Sequence, residues 1–416
     1  MKRISLYSIS VITLLILLTS CKDSPTVYTI KGKLIDVERP YVMLLRLGDD
    51  LSFGGIEIPV VNGEFTYTDT IAEPEVYNIY LQKHGGRPQN IVLEEGEITV
   101  TLHDEKNGFE NNLVNGGKLN NELNSFNKYV TDNFIEPSKP LFDSLDVLYM
   151  NNEYYSDTVY KILDKLKASK SYEEKKHLYK IKDDIINSGI GYSEKGKVLN
   201  NKMNEHRDIY KEGVYNYISQ NHNTISYFLI YKDLYFSREH IDTTKVMAAY
   251  KVLSKKMPNH PYNKPVSEII NSLTNIKVGG KFIDFSAPDL NGKEIKISDV
   301  IHNKIAIIDL WATTCGPCIS TSKSYIPIYE KYKNKGFTVV GIAGEHKNTD
   351  RLKTALDKYK FPWINLVELD NERSIWNKYG IPNAAGKTFL VDKDGTILAI
   401  APTAKEVEQI LNEKLK

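Results

Sequence analysis

Cysteine is scarce in this chain: there are three among 416 residues, at positions 21, 315 and 318. That number excludes a disulfide-stapled scaffold and leaves too few thiols for a four-cysteine zinc site. His302 and His346, the histidines nearest the close-set pair, have no ligand-like spacing, so no metal is expected. An excess of one charge is also missing. Lys and Arg number 54 against 53 Asp and Glu, a formal net charge of +1, which argues against a nucleic-acid partner or an acidic tail. There is no low-complexity tract and no internal repeat, so a solenoid is excluded. Apolar content is ordinary for globular domains, and the length suits two to four of them.

What is present concentrates in one segment, Ile305-Ala-Ile-Ile-Asp-Leu-Trp-Ala-Thr-Thr-Cys-Gly-Pro-Cys318. An apolar strand runs into a Cys-x-x-Cys pair, the layout of a thiol–disulfide exchange site. Two cysteines separated by two residues at the start of a helix can close a small disulfide ring. Unpaired N–H groups and the positive end of the helix dipole stabilise a thiolate on the first of them. Pro317 suits the first helical turn, where its missing N–H costs nothing. Gly316 lets the backbone of a partner protein come close. Cys315 is therefore expected to attack a substrate disulfide and Cys318 to resolve the mixed disulfide.

Asp309 interrupts an apolar run that reads as a buried central strand ending at Trp311. An ionised carboxylate there is costly, so the acid should be paired or its pKa raised. Such an acid beside a dithiol can shuttle the proton of the resolving thiol. Asp309 joins Cys315 and Cys318 as a catalytic candidate, with Trp311, Gly316 and Pro317 in support.

The run Asp309-Leu-Trp-Ala-Thr-Thr-Cys-Gly-Pro-Cys318 resembles the thioredoxin superfamily, and within it the TlpA/ResA-type oxidoreductases tethered in bacterial envelopes, relatives of the AhpC/TSA and redoxin group. Val278 to Lys293 is similar to that branch's N-terminal hairpin, Lys335 to Ala343 to its next strand, and Thr388 to Ile397 to its closing hairpin. The resemblance covers roughly the last third of the chain. It implies a thioredoxin-like α/β domain, the roles given above for both cysteines and the buried acid, protein disulfides as substrates, and an envelope or membrane thiol as electron donor, with no cofactor. Several positions depart from the pattern. Thr314 replaces the usual Trp before the first cysteine, Thr321 an acid, and Lys323 a helix-kinking proline. The cis-proline that normally faces the dithiol has no counterpart in place. Pro382 comes too early, and Gly386 stands nearer the expected position, which puts the substrate-docking edge in question.

At the N-terminus, Met1-Lys-Arg precedes a short apolar stretch, and Leu18-Thr-Ser-Cys21 resembles the lipobox of bacterial lipoproteins. The resemblance implies a signal peptide over 1–20, an acylated Cys21 with a tether over 21–26, and a lipid-anchored protein of the cell envelope, where disulfides persist.

Residues 27–112 are strand-like as far as about His103, and Val27 to Leu34 alternate with period two. Asn62-Gly63 between Ile58-Pro-Val-Val61 and Phe65-Thr-Tyr-Thr68 signals a hairpin. The expectation is an antiparallel β-sandwich, similar to a β-domain of unknown function found ahead of thioredoxin domains. Residues 113–276 read as a central α-helical region: Leu119, Leu123, Phe126 and Val130 have helical spacing, as do Tyr160, Leu163 and Leu166, and Thr224 to Phe236 is unusually apolar. The thioredoxin-like domain takes 277–416. The expected activity is reduction or interchange of disulfides in envelope proteins. The alternatives are a thiol-dependent peroxidase, whose Pro and Thr or Ser would stand where Ile308 and Ala312 are, and a surface-binding lipoprotein with a vestigial or sensory redox pair.

Overall fold

The computed structural model of the chain describes residues 25–49, 55–81, 88–104, 108–237, 240–381 and 386–415. Cys21 with the expected signal peptide, and Pro382, lie outside the described residues.

Eight strands open the chain: β1 (Thr26–Ile35), β2 (Tyr41–Arg46), β3 (Ile56–Pro59), β4 (Glu64–Ile71), β5 (Glu75–Tyr80), β6 (Gln89–Leu93), β7 (Gly96–His103) and β8 (Leu113–Asn115). They form two four-stranded sheets, ordered β4-β1-β7-β8 and β3-β2-β5-β6. Alternate residues of both sheets meet in one core, among them Ile30, Val42, Leu44, Ile79, Ile91 and Ile98. This is the expected sandwich with two differences. β1 and β7 run parallel, because the chain makes the whole second sheet before β7 returns beside β1. The Asn62-Gly63 turn forms with both residues left-handed, at φ 52 and 77, and Val61 and Glu64 exchange backbone hydrogen bonds across it. Its two strands then part into different sheets, β3 pairing with β2 and β4 with β1.

Eight helices follow: α1 (Lys118–Val130), α2 (Glu136–Met150), α3 (Asp157–Ala168), α4 (Tyr172–Asn187), α5 (Glu194–Gln220), α6 (Thr224–Phe236), α7 (Thr243–Lys256) and α8 (Asn263–Asn275). The first two turns of α6, Thr224 to Tyr231, are buried on every side, the condition under which an amphipathic stripe disappears. Helices α1, α6 and α8 cover the outer face of the second sheet, whose Leu47, Val76 and Val92 enter the helical core. Polar side chains fix the junction. The Asn120 carboxamide accepts from Val92 N at 2.9 Å and donates to Val92 O at 2.7 Å, pairing backbone groups on an edge strand that would otherwise be open. The Glu94 carboxylate accepts from the N–H groups of Leu119 and Asn120 at 3.0 and 2.7 Å. It caps α1 in place of Gly117, which has no side chain to do so, an interaction worth about 0.5–2 kcal/mol. Tyr262 O–H bridges Val76 N and O, both at 3.1 Å.

The last part contains β9 (Ser286–Pro288), β10 (Glu294–Lys296), α9 (Ile297–Ile301), β11 (Ile305–Trp311), α10 (Gly316–Tyr332), β12 (Phe337–Glu345), α11 (Asp350–Tyr359), β13 (Ile364–Leu369), α12 (Ile375–Tyr379), β14 (Lys387–Val391), β15 (Ile397–Ile400) and α13 (Ala404–Lys414). Its five-stranded sheet has the order β13-β12-β11-β14-β15. β11 to β13 are parallel, and β14 returns antiparallel to β11. Every residue of β11 is buried, as expected where helices cover both faces of a sheet. α10, α11 and α13 pack on one face, and α9 and α12 on the other. The thioredoxin-like α/β arrangement anticipated from the motif is thus present.

The helical region also meets this last part directly. α8 packs on α12. On the other side α4 reaches α10 and α13: Lys176 Nζ donates to Pro402 O at 2.8 Å, and Lys180 pairs with Glu406. No helix among the described residues is long and apolar enough to cross a membrane.

Candidate active site

β11 ends at Trp311, and the chain turns through Ala312 to Thr314 into α10, which places Cys315 at the N-cap. Cys315 and Cys318 are disulfide-bonded, with their Cα atoms 5.2 Å apart. The Cys315 Sγ accepts a hydrogen bond from the Cys318 N–H at 3.2 Å, so one of the four unpaired donors at a helix start points at the sulfur. Cys315 is half-buried, and Cys318 is 9% exposed. Gly316 and Pro317 are exposed, and a Cβ at Gly316 would meet nothing within 4 Å. The dithiol therefore opens to solvent on the Cys315 side only.

Asp309 shares a strand face with Ile307 and Trp311, the face under α10. It is 1% exposed. Burial pushes its pKa up to about 7 from 3.8, against the opposing pull of the Ser322 hydrogen bond and of the Lys176 charge. Ser322 lies one turn after Cys318 and links the acid to the dithiol helix. Its Oγ is 2.6 Å from Asp309 Oδ2 and 3.0 Å from Cys318 O. A hydroxyl has a single proton to donate. When Asp309 is ionised, Ser322 donates to the carboxylate. When Asp309 is neutral, the acid can donate to Ser322, which then donates to the Cys318 carbonyl. The proton on Asp309 is thereby coupled to the backbone of the resolving cysteine.

The loop ahead of Cys315 is held by Glu345 at the end of β12, which accepts from Thr313 N at 3.1 Å and Thr313 Oγ1 at 3.0 Å. Burial raises the pKa of Glu345, and the two Thr313 hydrogen bonds oppose this. Trp311 faces the core rather than the surface: its Nε1 donates to Asn365 Oδ1 at 3.1 Å, and its ring stands edge-on to Phe361. At the departures noted above, Thr314 is exposed. Thr321 Oγ1 donates to the Tyr172 hydroxyl of α4 at 3.3 Å. The Lys323 ammonium lies 4.3 Å from the centre of the Tyr359 ring. Gly386 touches the dithiol: a Cβ built on it would lie 2.4 Å from Cys318 Sγ and 2.5 Å from Leu310 O. With a side chain excluded there, the backbone before β14 approaches the buried cysteine directly.

The structure thus gathers Cys315, Cys318, Asp309, Gly316, Pro317 and Gly386 at the C-terminal end of β11, where open α/β sheets place their ligands. Residues that the sequence reading missed are Ser322, Glu345 and, from the helical region, Tyr172 and Lys176. The first two had signals: Ser322 is at helical spacing from Cys318, and Glu345 ends the strand beside β11. Among the described residues no group of His, Cys, Asp and Glu side chains could hold a metal ion.

Comparison with known proteins agrees with this geometry. Residues 278–400 match the AhpC/TSA family, and residues 28–123 match a domain of unknown function, DUF4369. The thiol-disulfide oxidoreductase ResA of Bacillus thuringiensis is 30% identical over 143 residues, covering 34% of this chain and 73% of that protein. A chloroplastic peroxiredoxin Q of Gentiana triflora is 24% identical over 153 residues, 35% of this chain and 69% of that one. Among solved structures, the thioredoxin domain of a thiol-disulfide oxidoreductase from Bacteroides vulgatus is matched along its full length and 34% of this chain, at 21% identity and a TM-score of 0.31. With a dithiol at a helix start, a buried acid beneath it and this degree of identity, the chain belongs to the ResA-like thiol–disulfide oxidoreductases.

Proposed function

We propose that this enzyme reduces or interchanges disulfides of cell-envelope proteins through its Cys-Gly-Pro-Cys dithiol, while anchored to a membrane by lipid on Cys21. The observation that carries the reading is the asymmetry of the dithiol: one sulfur accessible at the N-cap of α10, the other buried beside an acid whose pKa lies near 7. In the reduced enzyme the Cys315 thiolate attacks a substrate disulfide and expels one substrate thiolate. Asp309, as carboxylate, takes up the proton that the Cys318 thiol releases. The Cys318 thiolate then attacks Cys315 Sγ, the second substrate thiolate leaves, and the enzyme disulfide seen here closes. An envelope or membrane thiol would return two electrons to it. Gly386 leaves the site narrow on the Cys318 side and open on the Cys315 side, where a substrate strand would lie.

Side-by-side assays of insulin reduction and peroxide consumption test the activity. Disulfide reduction with little peroxide turnover is expected, and the reverse would establish the peroxidase reading. Cys315→Ser should abolish reduction, while Cys318→Ser should accumulate a mixed disulfide on non-reducing gels. Trapping by Cys315→Ser instead would reverse the two roles.

The Asp309 carboxyl generates a pH signature. Its folded-state pKa is raised, so between about pH 4 and about pH 7 the folded chain holds a proton that the unfolded chain releases. The stability tied to this proton is present below the unfolded pKa and is lost as the pH rises through about 7, on the order of 4 kcal/mol. Asp309→Asn should remove that fall from urea-unfolding curves and slow the resolving step by about 100-fold above pH 7. Equal pH dependence in variant and parent would show that Asp309 is not the titrating group.

Gly386→Ala should cost about 1–3 kcal/mol in unfolding experiments, because its methyl must displace Cys318 or the β11 backbone. Gly316→Ala should be nearly neutral, within about 0.5 kcal/mol. Similar values for both would remove the close-packing argument.

Mass spectrometry of protein purified from membranes should find an acylated Cys21 at the mature N-terminus, and Cys21→Ala should leave the membrane fraction. An unprocessed Met1 on the membrane-bound protein would overturn the lipid anchor.

A further inference from the structure

The helical region away from α4, to which the redox reading assigns nothing, contains a chamber of about 650 Å³. That volume lies within the range of roughly 300–1,000 Å³ that encloses small-molecule ligands. Its walls come from α1, α2, α5 and α6 and from the π-helical turn Thr131–Ile135 that joins α1 to α2. Phe126, Phe134, Phe228 and Leu229 form an apolar interior. At the rim Ile135 and Phe142 are 49% and 53% exposed, an unusual placement for large apolar side chains at an opening.

The charge of the lining has one sign. Lys232 and Arg207 both face the chamber, and no Asp or Glu is among the described residues that line it. The Lys232 side chain reaches solvent, and its ammonium lies 5.8 Å from the centre of the Phe228 ring. Arg207 Nη1 donates to Asn204 Oδ1 at 3.0 Å, and its Nη2 lies 3.6 Å from the solvent-exposed Asp208. Its Nε is buried with no partner among the described residues. Two cationic side chains beside apolar walls, with no carboxylate among the described lining residues, suit an anionic group.

The π turn is the second feature. π-helical turns are rare and concentrate at functional sites. This one directs Phe134 onto α5 at Gly213, where a Cβ would lie 2.4 Å from the ring.

We infer that this chamber binds a single-chain amphiphile with an anionic head, of the long-chain carboxylate class, its chain lying along Phe126, Phe134, Phe228 and Leu229 and its head at Lys232 and Arg207. The full chain, stripped of bound lipid, can be titrated calorimetrically with dodecanoate below its micellar concentration. Saturable one-to-one binding is expected, with dodecyltrimethylammonium at least about tenfold weaker. Lys232→Met should weaken dodecanoate at least about tenfold while insulin reduction is unchanged. Arg207→Gln should weaken it in the same direction. Dodecanoate should also shield Lys232 from reductive methylation, read by mass spectrometry on the unmutated protein. Absent saturation, equal binding of the cationic amphiphile, or unshielded Lys232 at saturating dodecanoate would each overturn the inference.

Discussion

A carboxyl group fixed in the middle of the central strand, away from water, sets the terms for the catalytic part of this molecule. Its charged form is disfavoured by burial, and what relieves that penalty is local: the Ser322 hydroxyl and the charge of Lys176. The neighbours are therefore constrained. α10 must lie over β11 in the register that brings Ser322 above Asp309, and that register places Cys318 one turn nearer the site. The backbone before β14 must come close to the buried sulfur, and Gly386 is the residue that permits it. Strand, helix and loop are each positioned by the same partly neutralised acid and the dithiol beside it.

The helices ahead of this domain contribute to the site. Tyr172 and Lys176 stand on α4, far upstream in the chain, yet one meets Thr321 on the dithiol helix and the other bonds Pro402 and acts on Asp309. Thr321 stands where relatives are expected to have an acid. The α4 hydroxyl that meets it partly covers this face of α10. The electrostatics of the redox centre are thus shared between parts of the chain that match different families or none.

How much of this was legible from the residues depends on how local the physics is. Cys315, Cys318 and Asp309 could be located because their chemistry is written within ten positions of one strand and one helix start. The helix Thr224–Phe236 was legible because its first two turns are nearly all apolar or aromatic. The parallel pairing of β1 with β7 was not, since alternation reveals which face of a strand is buried but not which strand lies beside it. The docking of α4 leaves no periodic trace at all. Contacts between distant elements are set by shape and by single hydrogen bonds, and nothing in a linear pattern reports them.

The sheet β3-β2-β5-β6 is apolar on both faces, one turned to its partner sheet and the other to α1, α6 and α8, with Asn120 and Tyr262 bonded into its backbone. In evolutionary terms the sandwich is therefore not a portable cassette. A recombination event that transferred only the strands would deliver a sheet with a bare apolar face and strand amides lacking their side-chain partners. Gene fusions that leave a working protein should carry strands and helices as one inheritance, with breakpoints after α8, so that two folded halves rather than three are the pieces exchanged.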